Sequence, residues 1–302
     1  MKFFKYVTAE TAKIVLESGR RRWTRPLRFN DPFDNQFDLH VEFNEATIVD
    51  LVLNGMWEFY LRLQKREPIN FFGQVVIPPE DVAELSRDKL FGHEALRTNI
   101  RDASQKLKAE APSMQKQLRA ILNNSLVFCV SEVHDNILMW SHYAQDHTGA
   151  VLEFDTDKDI FSTLRRAEKV EYSKTMPRFM TEQDVIRFFS FQWQLNAKEH
   201  FHRSVFTKAA DWSYEKEWRV WLPVGDPLGW SDPNYVLPLE QFGFIDQEYK
   251  REELVGIYLG CRMSQDNVGT LRDLVLKLFP HASLHRATKS AREFALQFEP
   301  LP

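Results

Sequence analysis

Short apolar runs recur along the whole chain, and each is too short to be a typical helix. They occupy residues 3–7, 125–131, 149–155, 214–222 and 254–260. Runs of this length that are rich in Val, Ile, Leu and Phe are typical of half-buried or buried β-strands. Because the runs are far apart in sequence, only a tertiary fold can pair them. We therefore predict one mixed central sheet.

A long helical region separates the first two runs. Residues 45–122 carry apolar residues at helical spacing, with an extended interruption at 75–79. Another long helix is predicted over 181–206. These patterns predict an α+β fold in which residues 1–302 form a single domain. Residues 45–122 would be a helical insertion that covers one side of it.

Charge and hydropathy restrict the partners and the compartment. The 39 basic and 43 acidic residues give a net charge of −4, which disfavours nucleic acid and anionic membranes as partners. The N-terminus lacks the long apolar segment of a signal peptide, and no run approaches the roughly 18 apolar residues of a membrane span. We therefore expect a cytoplasmic protein without a membrane partner.

Cysteine and histidine spacing gives no metal signal. Cys129 and Cys261 lie in apolar runs and are expected to be reduced and buried. His142 and His147 are five residues apart, whereas zinc-binding histidines on a helix are four apart. We therefore predict no metal.

The first of three candidate site segments is Phe-Asn-Asp-Pro-Phe-Asp at residues 29–34. The plainer alternative is a structural turn, because proline fixes φ and Asn or Asp side chains bond to their own backbone. The functional alternative is that Asn30, Asp31 or Asp34 lines a cleft beside the preceding strand. Tyr6, on the first predicted strand, would contribute its polar tip to the same cleft.

The second segment is Leu-Met-Trp-Ser-His-Tyr-Ala at residues 138–144, in a short helix that Asp135 would cap. It follows a buried strand directly. The plainer alternative is aromatic core packing. Polar groups in such a place otherwise face a site or complete a buried network. The candidate side chains are Trp140, Ser141, His142 and Tyr143.

The third segment, Trp-Ser-Tyr-Glu-Lys-Glu-Trp-Arg at 212–219, opens the strand predicted over 214–222. A period of two places Glu215, Glu217 and Arg219 on one face and Trp218 on the other. The two carboxylates repel each other unless a cation or ligand relieves them, and Arg219 and Lys208 are the candidate counter-charges. The plainer alternative is a surface ladder of ion pairs on an edge strand.

The three motifs, in this order, resemble an uncharacterised bacterial family known as a domain of unknown function. The resemblance covers nearly the whole chain, and residues 45–122 are its least distinctive part. A more distant likeness is to the ADP-ribosyltransferases, which have a split mixed sheet around an NAD cleft. Their sites combine a His or Arg on an early strand, an aromatic residue or Ser on a middle strand, and a late Glu-x-Glu.

In this chain Glu215-x-Glu217 matches the last of these elements, which implies that Glu217 is the catalytic position and NAD the substrate. Two elements depart from the pattern. The early strand offers Lys5 and Tyr6 instead of His or Arg, and residues 140–143 are predicted to be helical.

Three hypotheses remain open. The first is an NAD-consuming ADP-ribosyltransferase or NAD glycohydrolase, acting as a defence or toxin effector on an unidentified acceptor. Its catalytic residues would be Glu217, Glu215 and His142. Its nucleotide-binding residues would be Tyr6, Asn30, Asp31, Trp140, Ser141, Tyr143, Lys208 and Arg219. The second is a non-enzymatic sensor of a nucleotide or small ligand, and the third is a nuclease that uses His142 or His147 with the two glutamates.

Overall fold

The structure, a computed structural model, describes residues 1–71, 74–80, 82–192, 197–222 and 243–302. The chain divides into two compact units, each made of separated segments. The first unit comprises Met1–Asn35, Ile121–Thr175 and Val205–Pro302, and the second comprises Gln36–Ala120 and Met176–Ser204. In the described part of the chain, no helix combines the length and apolar character that crossing a membrane requires.

The strands and helices are numbered in chain order. The strands are β1 (Lys2–Val7), β2 (Arg20–Thr24), β3 (Ile69–Phe71), β4 (Gln74–Val76), β5 (Leu126–Ser131), β6 (Ala150–Asp155), β7 (Glu168–Lys169), β8 (Glu171–Ser173), β9 (Thr207–Ala209), β10 (Glu217–Leu222), β11 (Phe244–Glu248), β12 (Leu254–Leu259), β13 (Ser283–Lys289) and β14 (Leu296–Pro300). The helices are α1 (Ala9–Ser18), α2 (Ile48–Gln64), α3 (Arg87–Phe91), α4 (Glu94–Asn123), α5 (Ile137–His142), α6 (Glu182–Phe189), α7 (Ala197–Val205) and α8 (Gln265–Leu278).

A ten-stranded mixed sheet forms the first unit, and it confirms the predicted α+β fold. Its order is β11-β2-β5-β1-β6-β12-β13-β14, with β10 paired to β5 and β7 paired to β10. Strands β12 and β13 are parallel, whereas the other pairs in this sheet are antiparallel. All five apolar runs of the sequence contribute strands to it.

The apolar core of this unit lies where α1 and α8 pack against the sheet. Helix α1 contributes Leu16 and α8 contributes Leu271, and both belong to one buried cluster with Trp23 and Phe128. The boundaries of α1 follow from local chemistry. Thr8 caps its first turn, and Gly19 ends it with the left-handed φ of 65° that glycine adopts at little cost.

The second unit is mainly helical, as the pattern over 45–122 predicts. It contains α2, α3, most of α4, α6, most of α7 and the small hairpin of β3 and β4. Part of its core is aromatic, and the ring of Phe179 contacts those of Phe37 and Phe201. The single-domain organisation stays a prediction. That residues 176–204 pack with the helical region was not foreseen, because the sequence shows no local signal for it.

Three predicted elements differ from the structure. The helix expected over 181–206 is interrupted, because α6 ends at Phe189 and Phe191 takes a positive φ of 62°. Residues 193–196 lie outside the described residues. Asn136, not Asp135, caps α5 by accepting hydrogen bonds from the backbone of its first turn. The strand expected from residue 214 begins at Glu217, after a 3-10 turn.

Candidate functional site

A cleft of the first unit opens where its sheet splits. Strand β5 pairs with β10 along its full length. On its other side β5 meets β1 only at Ser131 and β2 only at Val127, four residues apart along the strand. Cys129 lies between these two points, and its carbonyl oxygen accepts a hydrogen bond of 2.7 Å from Lys5 Nζ. The gap between β1 and β2 therefore leaves a cleft of about 350 Å³.

Charged and aromatic side chains dominate the wall of this cleft. Its cations are Lys5, Arg22, Arg28 and Lys208; its carboxylates are Asp34, Glu215 and Glu217; its aromatic and histidine side chains are Phe4, Tyr6, Phe29, His142 and Tyr143. Asp34 comes from the first predicted segment, Tyr143 from the second and Glu217 from the third. The fold thus brings the three segments to one place.

Arg219 holds two of the carboxylates from behind the cleft. Its side chain is fully buried. Nη1 and Nη2 donate to the two carboxylate oxygens of Asp34 at 2.8 and 2.7 Å. Nε and Nη2 donate to those of Glu217 at 2.8 and 3.0 Å, and Nη1 also donates to the Val205 carbonyl at 2.6 Å. These five bonds use every N–H of the guanidinium group.

Lys208, on β9, is the second buried cation. Its ammonium group lies 2.5 Å from Glu215 Oε2 and 3.1 Å from Glu217 Oε2. Asp34 Oδ2 is 3.8 Å away. Three carboxylates therefore face two cations, and the cluster carries one surplus negative charge when all five groups are ionised. The alternative of a surface ladder of ion pairs is wrong for these residues, because all five are buried.

Glu215 reaches the cluster by a route that the strand pattern did not predict. Residues Ala210–Glu215 form a 3-10 turn, and Lys216 takes a left-handed conformation with φ of 47° before β10 begins. Ser131 Oγ fixes this turn by donating to the Glu215 carbonyl at 2.6 Å. Glu215 and Glu217 therefore share Lys208 without being successive residues on one strand face.

Tyr143 links the second segment to the other two. Its hydroxyl donates to Glu215 Oε1 at 2.6 Å and accepts a hydrogen bond of 3.3 Å from Asn30 Nδ2. A continuous chain of hydrogen bonds thus runs from Asn30 through Tyr143 and Glu215 to Lys208. Burial and the nearby Glu215 charge raise the pKa of Tyr143, so the phenol remains a donor to the carboxylate.

The two glutamates have pKa values that are displaced in opposite directions. Burial raises the pKa of Glu215 and outweighs the attraction of Lys208. Burial also acts to raise the pKa of Glu217, but the charges of Arg219 and Lys208 outweigh it and hold that pKa well below its usual value. Two carboxylates on one lysine therefore differ in how readily each takes a proton.

Two other predicted residues lie at the cleft. His142 is exposed, and its Nδ1 lies 3.0 Å from the Tyr214 hydroxyl. Tyr6 is buried and lines the cleft, while its hydroxyl donates to the Val133 carbonyl at 3.0 Å. His142 is thus open to solvent and hydrogen-bonded to Tyr214, whereas the hydroxyl of Tyr6 is committed to the backbone.

The remaining predicted residues have partners elsewhere. Trp140 is fully buried, and its indole N–H donates to the His134 carbonyl at 2.7 Å. Ser141 Oγ donates to the Ile137 carbonyl and lies 3.1 Å from His147 Nε2. Asp31 is buried and accepts from the Phe33 backbone N–H. These contacts serve the core and the two turns, as the plainer alternatives for both segments describe.

The sequence reasoning missed two arginines at the cleft, Arg22 and Arg28. Arg22 alternates with buried neighbours on β2 and makes a bidentate ion pair with Asp246. Arg28 and Lys5 have no carboxylate within ion-pairing distance among the described residues, so both can bind an anionic ligand. The alternation of β2 was a usable signal for Arg22.

The described residues contain no group of three His, Cys, Asp or Glu side chains placed to hold a metal ion.

The comparisons with known proteins address only part of the chain. Comparison with curated proteins and with solved structures finds no match. One family model, described as a protein of unknown function (DUF2971), matches residues 139–220. This stretch contains Tyr143, Lys208, Glu215, Glu217 and Arg219, whereas Asn30 and Asp34 precede it. The chain is thus similar to an uncharacterised family over the segment that supplies most of the buried charge cluster.

Proposed function

We propose that the cleft binds a nucleotide such as NAD and cleaves the glycosidic bond to its nicotinamide, as a glycohydrolase or as a transferase of ADP-ribose. The observation that carries the proposal is the pair Glu215 and Glu217. Both bind Lys208, and their pKa values are displaced in opposite directions. Neighbouring carboxylates with divergent pKa values are how enzyme sites divide acid–base and electrostatic roles.

The surplus negative charge suits a reaction that develops positive charge. When the C–N bond breaks, its electron pair leaves with neutral nicotinamide and the ribose becomes oxocarbenium-like. A preorganised carboxylate stabilises that charge without having to reorganise. Glu217 fits this role, because Arg219 and Lys208 keep it ionised at a fixed position.

Glu215 fits the role of the general base. A carboxylate with a raised pKa accepts a proton more readily near neutral pH. Water, or the hydroxyl of an acceptor, would attack the ribose carbon and give its proton to Glu215. With Glu215 neutral, the two remaining buried carboxylates would balance the two buried cations, which favours the product state. Tyr143, hydrogen-bonded to Glu215 Oε1, would fix the direction of that carboxylate.

Other residues of the cleft would bind the pyrophosphate and the nicotinamide ring of NAD. Lys5 and Arg28 line the cleft and would bind the pyrophosphate, and the rings of Phe29 and Tyr143 would stack on nicotinamide. A volume of about 350 Å³ is at the small end of ligand pockets, so it fits the nicotinamide riboside part. The adenosine part would extend beyond it.

The likeness to ADP-ribosyltransferases gains support from the strand order. Strands β1, β5 and β10 lie around the split of the sheet and carry Lys5, Ser131 and Glu217. Lys5 and Glu217 thus hold the early and late positions that the likeness implies, whereas residues 140–143, its middle element, lie in helix α5 and its C-cap. Lys5 in the place of His or Arg supplies a cation, although not the fork of an arginine.

The test is to incubate the pure protein with NAD and measure free nicotinamide by chromatography. Glu217→Gln should lower the rate by about a thousandfold, because the amide cannot supply the charge. Glu215→Gln should lower it by about a hundredfold, because a proton acceptor is lost. Release of no nicotinamide by the wild type contradicts the proposal, and an active Glu217→Gln contradicts the assignment of the carboxylate.

Glu253→Gln is the matched control. Glu253 is also buried, and it makes an ion pair of 3.2 Å with Arg21 outside the cleft. Its replacement removes one buried carboxylate from one buried arginine, as Glu217→Gln does. Nicotinamide release by Glu253→Gln should stay within about twofold of the wild type at temperatures where both proteins are folded.

One observation favours the ligand-sensor hypothesis as the second candidate. Every N–H donor of Arg219 is already used within the protein, so the buried network is complete without a substrate. A sensor would show a rise in Tm with NAD or ADP-ribose and no release of nicotinamide. The nuclease hypothesis has less support, because His142 contacts Tyr214 and His147 stacks on Trp140.

A further inference from the structure

A second cleft of about 490 Å³ lies in the first unit. Its walls are the turn before β6, the loop after β12 and the loop between β13 and β14. Three successive residues of that turn, 145–147, have positive φ values of 50°, 52° and 66°. Arg262 N donates to the His147 carbonyl at 3.0 Å, and a Cβ on Gly260 would lie 2.1 Å from that oxygen. The turn and the loop are therefore in contact through their backbones and form a defined wall.

The charge of this cleft is unbalanced. Arg262, Lys289 and Arg292 line it, and Glu293 is the carboxylate on the same wall. In the part of the chain that the structure describes, no carboxylate lies within ion-pairing distance of these three cations. The buried cluster of the first cleft differs, since carboxylates surround both of its cations. An excess of unpaired cations around a concave surface attracts an anionic ligand.

An aromatic ring stands at the edge of the same cleft. Phe294 is 99% exposed, although it lies in an ordered turn. Ser290 Oγ accepts hydrogen bonds of 3.3 Å from the backbone of Arg292 and Glu293, and Ser290 N donates to the Ala295 carbonyl at 3.0 Å. These bonds hold the turn, so the solvent exposure of the ring is a property of the fold. A free aromatic face beside cations is the pattern that binds a base next to phosphate.

We propose that this second cleft binds a mononucleotide. Arg262, Lys289 and Arg292 would bind its phosphates, and Phe294 would stack on its base, with Ile137 and Leu296 as the apolar wall. The volume is within the range of small-ligand sites. The inference concerns a different part of the surface from the proposed NAD cleft and does not depend on that function.

ADP and inorganic pyrophosphate, titrated into the full chain by calorimetry, are the two probes. In the double variant Arg262→Gln, Arg292→Gln the affinity of this site for both probes should fall at least about tenfold, because both probes lose phosphate contacts. Phe294→Ala should lower the affinity for ADP about tenfold and keep the affinity for pyrophosphate within about twofold of the wild type, because only ADP has a base to stack. Arg272→Gln, an exposed arginine on α8, is the control and should change neither.

The titration also separates this proposal from the NAD-cleft proposal. If both hold, ADP binds in two events, and only one of them weakens in Phe294→Ala. If the NAD cleft fails, a single event remains and still depends on Phe294 and the two arginines. The second-cleft proposal is overturned if no binding event responds to these substitutions. It is also overturned if an oligothymidylate binds more than about a hundredfold tighter than ADP, since that result assigns the surface to single-stranded nucleic acid.

Discussion

Two arginines are buried in the same sheet with different surroundings. Arg219 meets two carboxylates and uses all its donors, and their charges raise its pKa in spite of burial. Arg21 meets one carboxylate, Glu253, and one hydroxyl, Thr163, while its Nε has no acceptor among the described residues. Burial lowers the pKa of Arg21 and outweighs the attraction of Glu253.

The difference shows which charges belong to packing and which to a site. Arg21 lies among the rings of Phe128, Phe154 and Tyr249, where one carboxylate balances its charge. Around Arg219 the carboxylates outnumber the cations, and the cluster opens to a cleft. Surplus buried charge costs stability, so a fold that keeps it at a cleft is typical of a functional site.

Replacing a buried arginine should have the largest effect on stability, and the size should differ between the two positions. Arg219→Met would leave Asp34 and Glu217 buried around one remaining cation. We expect it to lower the free energy of unfolding by about 3–5 kcal/mol, measured by urea denaturation. Arg21→Met should cost about half of this or less, because it leaves one carboxylate that still binds Ser162 and the aromatic rings keep an apolar neighbour. Equal losses in the two variants would break the distinction.

Acid should destabilise the protein through Glu217. Its folded pKa lies below the unfolded value of about 4.3. The stability it contributes is therefore fully present above pH ~4.3 and is lost as the pH falls through the folded pKa. Glu217→Gln should thus flatten the fall in stability below pH ~4.3. Urea denaturation at several pH values measures this fall in the variant and in the wild type. An unchanged acid limb in Glu217→Gln would show that Glu217 titrates normally.

Glu215 should act with the opposite sign and a smaller amplitude. Its folded pKa is raised, so the folded state binds more protons than the unfolded state between the two pKa values. Stability should therefore fall as the pH rises from ~4.3 through the folded pKa. Glu215→Gln should remove this fall. If the variant instead retains the wild-type slope above pH ~4.3, the raised pKa belongs to another group.

Tyr143→Phe should have the smallest effect. It removes the hydrogen bond to Glu215 Oε1, and this should cost about 1 kcal/mol of unfolding free energy. Because that bond lowers the Glu215 pKa, its loss should raise the pKa further and shift the pH dependence of stability upward. Tyr6→Phe is the control, because among the described residues the Tyr6 hydroxyl hydrogen-bonds to the backbone and not to Glu215. A shift of the same size in Tyr6→Phe would mean that Tyr143 has no special role.

Much of the sheet could be predicted because its signals are local. Apolar runs and caps such as Thr8 and Ser264 mark elements through residues that are close in sequence. The turn at Lys216 has no such signal, since a left-handed lysine looks like any other lysine in the sequence. The predicted strand therefore began three residues too early, at residue 214. The pairing of Lys208 with Glu215 and Glu217 was nevertheless predictable, because two neighbouring carboxylates need a cation.

The cleft itself could not be predicted from local patterns. It depends on β1 and β2 each meeting β5 at a single position, and pairing partners are not encoded within a strand. Helical spacing also left the direction of Trp140 open, and the structure buries this side chain. The segments that form the site were identifiable, whereas the face that each side chain occupies required the tertiary structure.

Glu215 and Glu217 share Lys208, yet their pKa values are displaced in opposite directions. Carbon-13 NMR of the protein with labelled glutamate carboxyl groups measures this directly, with Glu215→Gln and Glu217→Gln to assign the two resonances. The account predicts that Glu215 titrates above the ordinary glutamate pKa of about 4.3 and that Glu217 remains ionised well below it. Two resonances that titrate together near the ordinary value would contradict it.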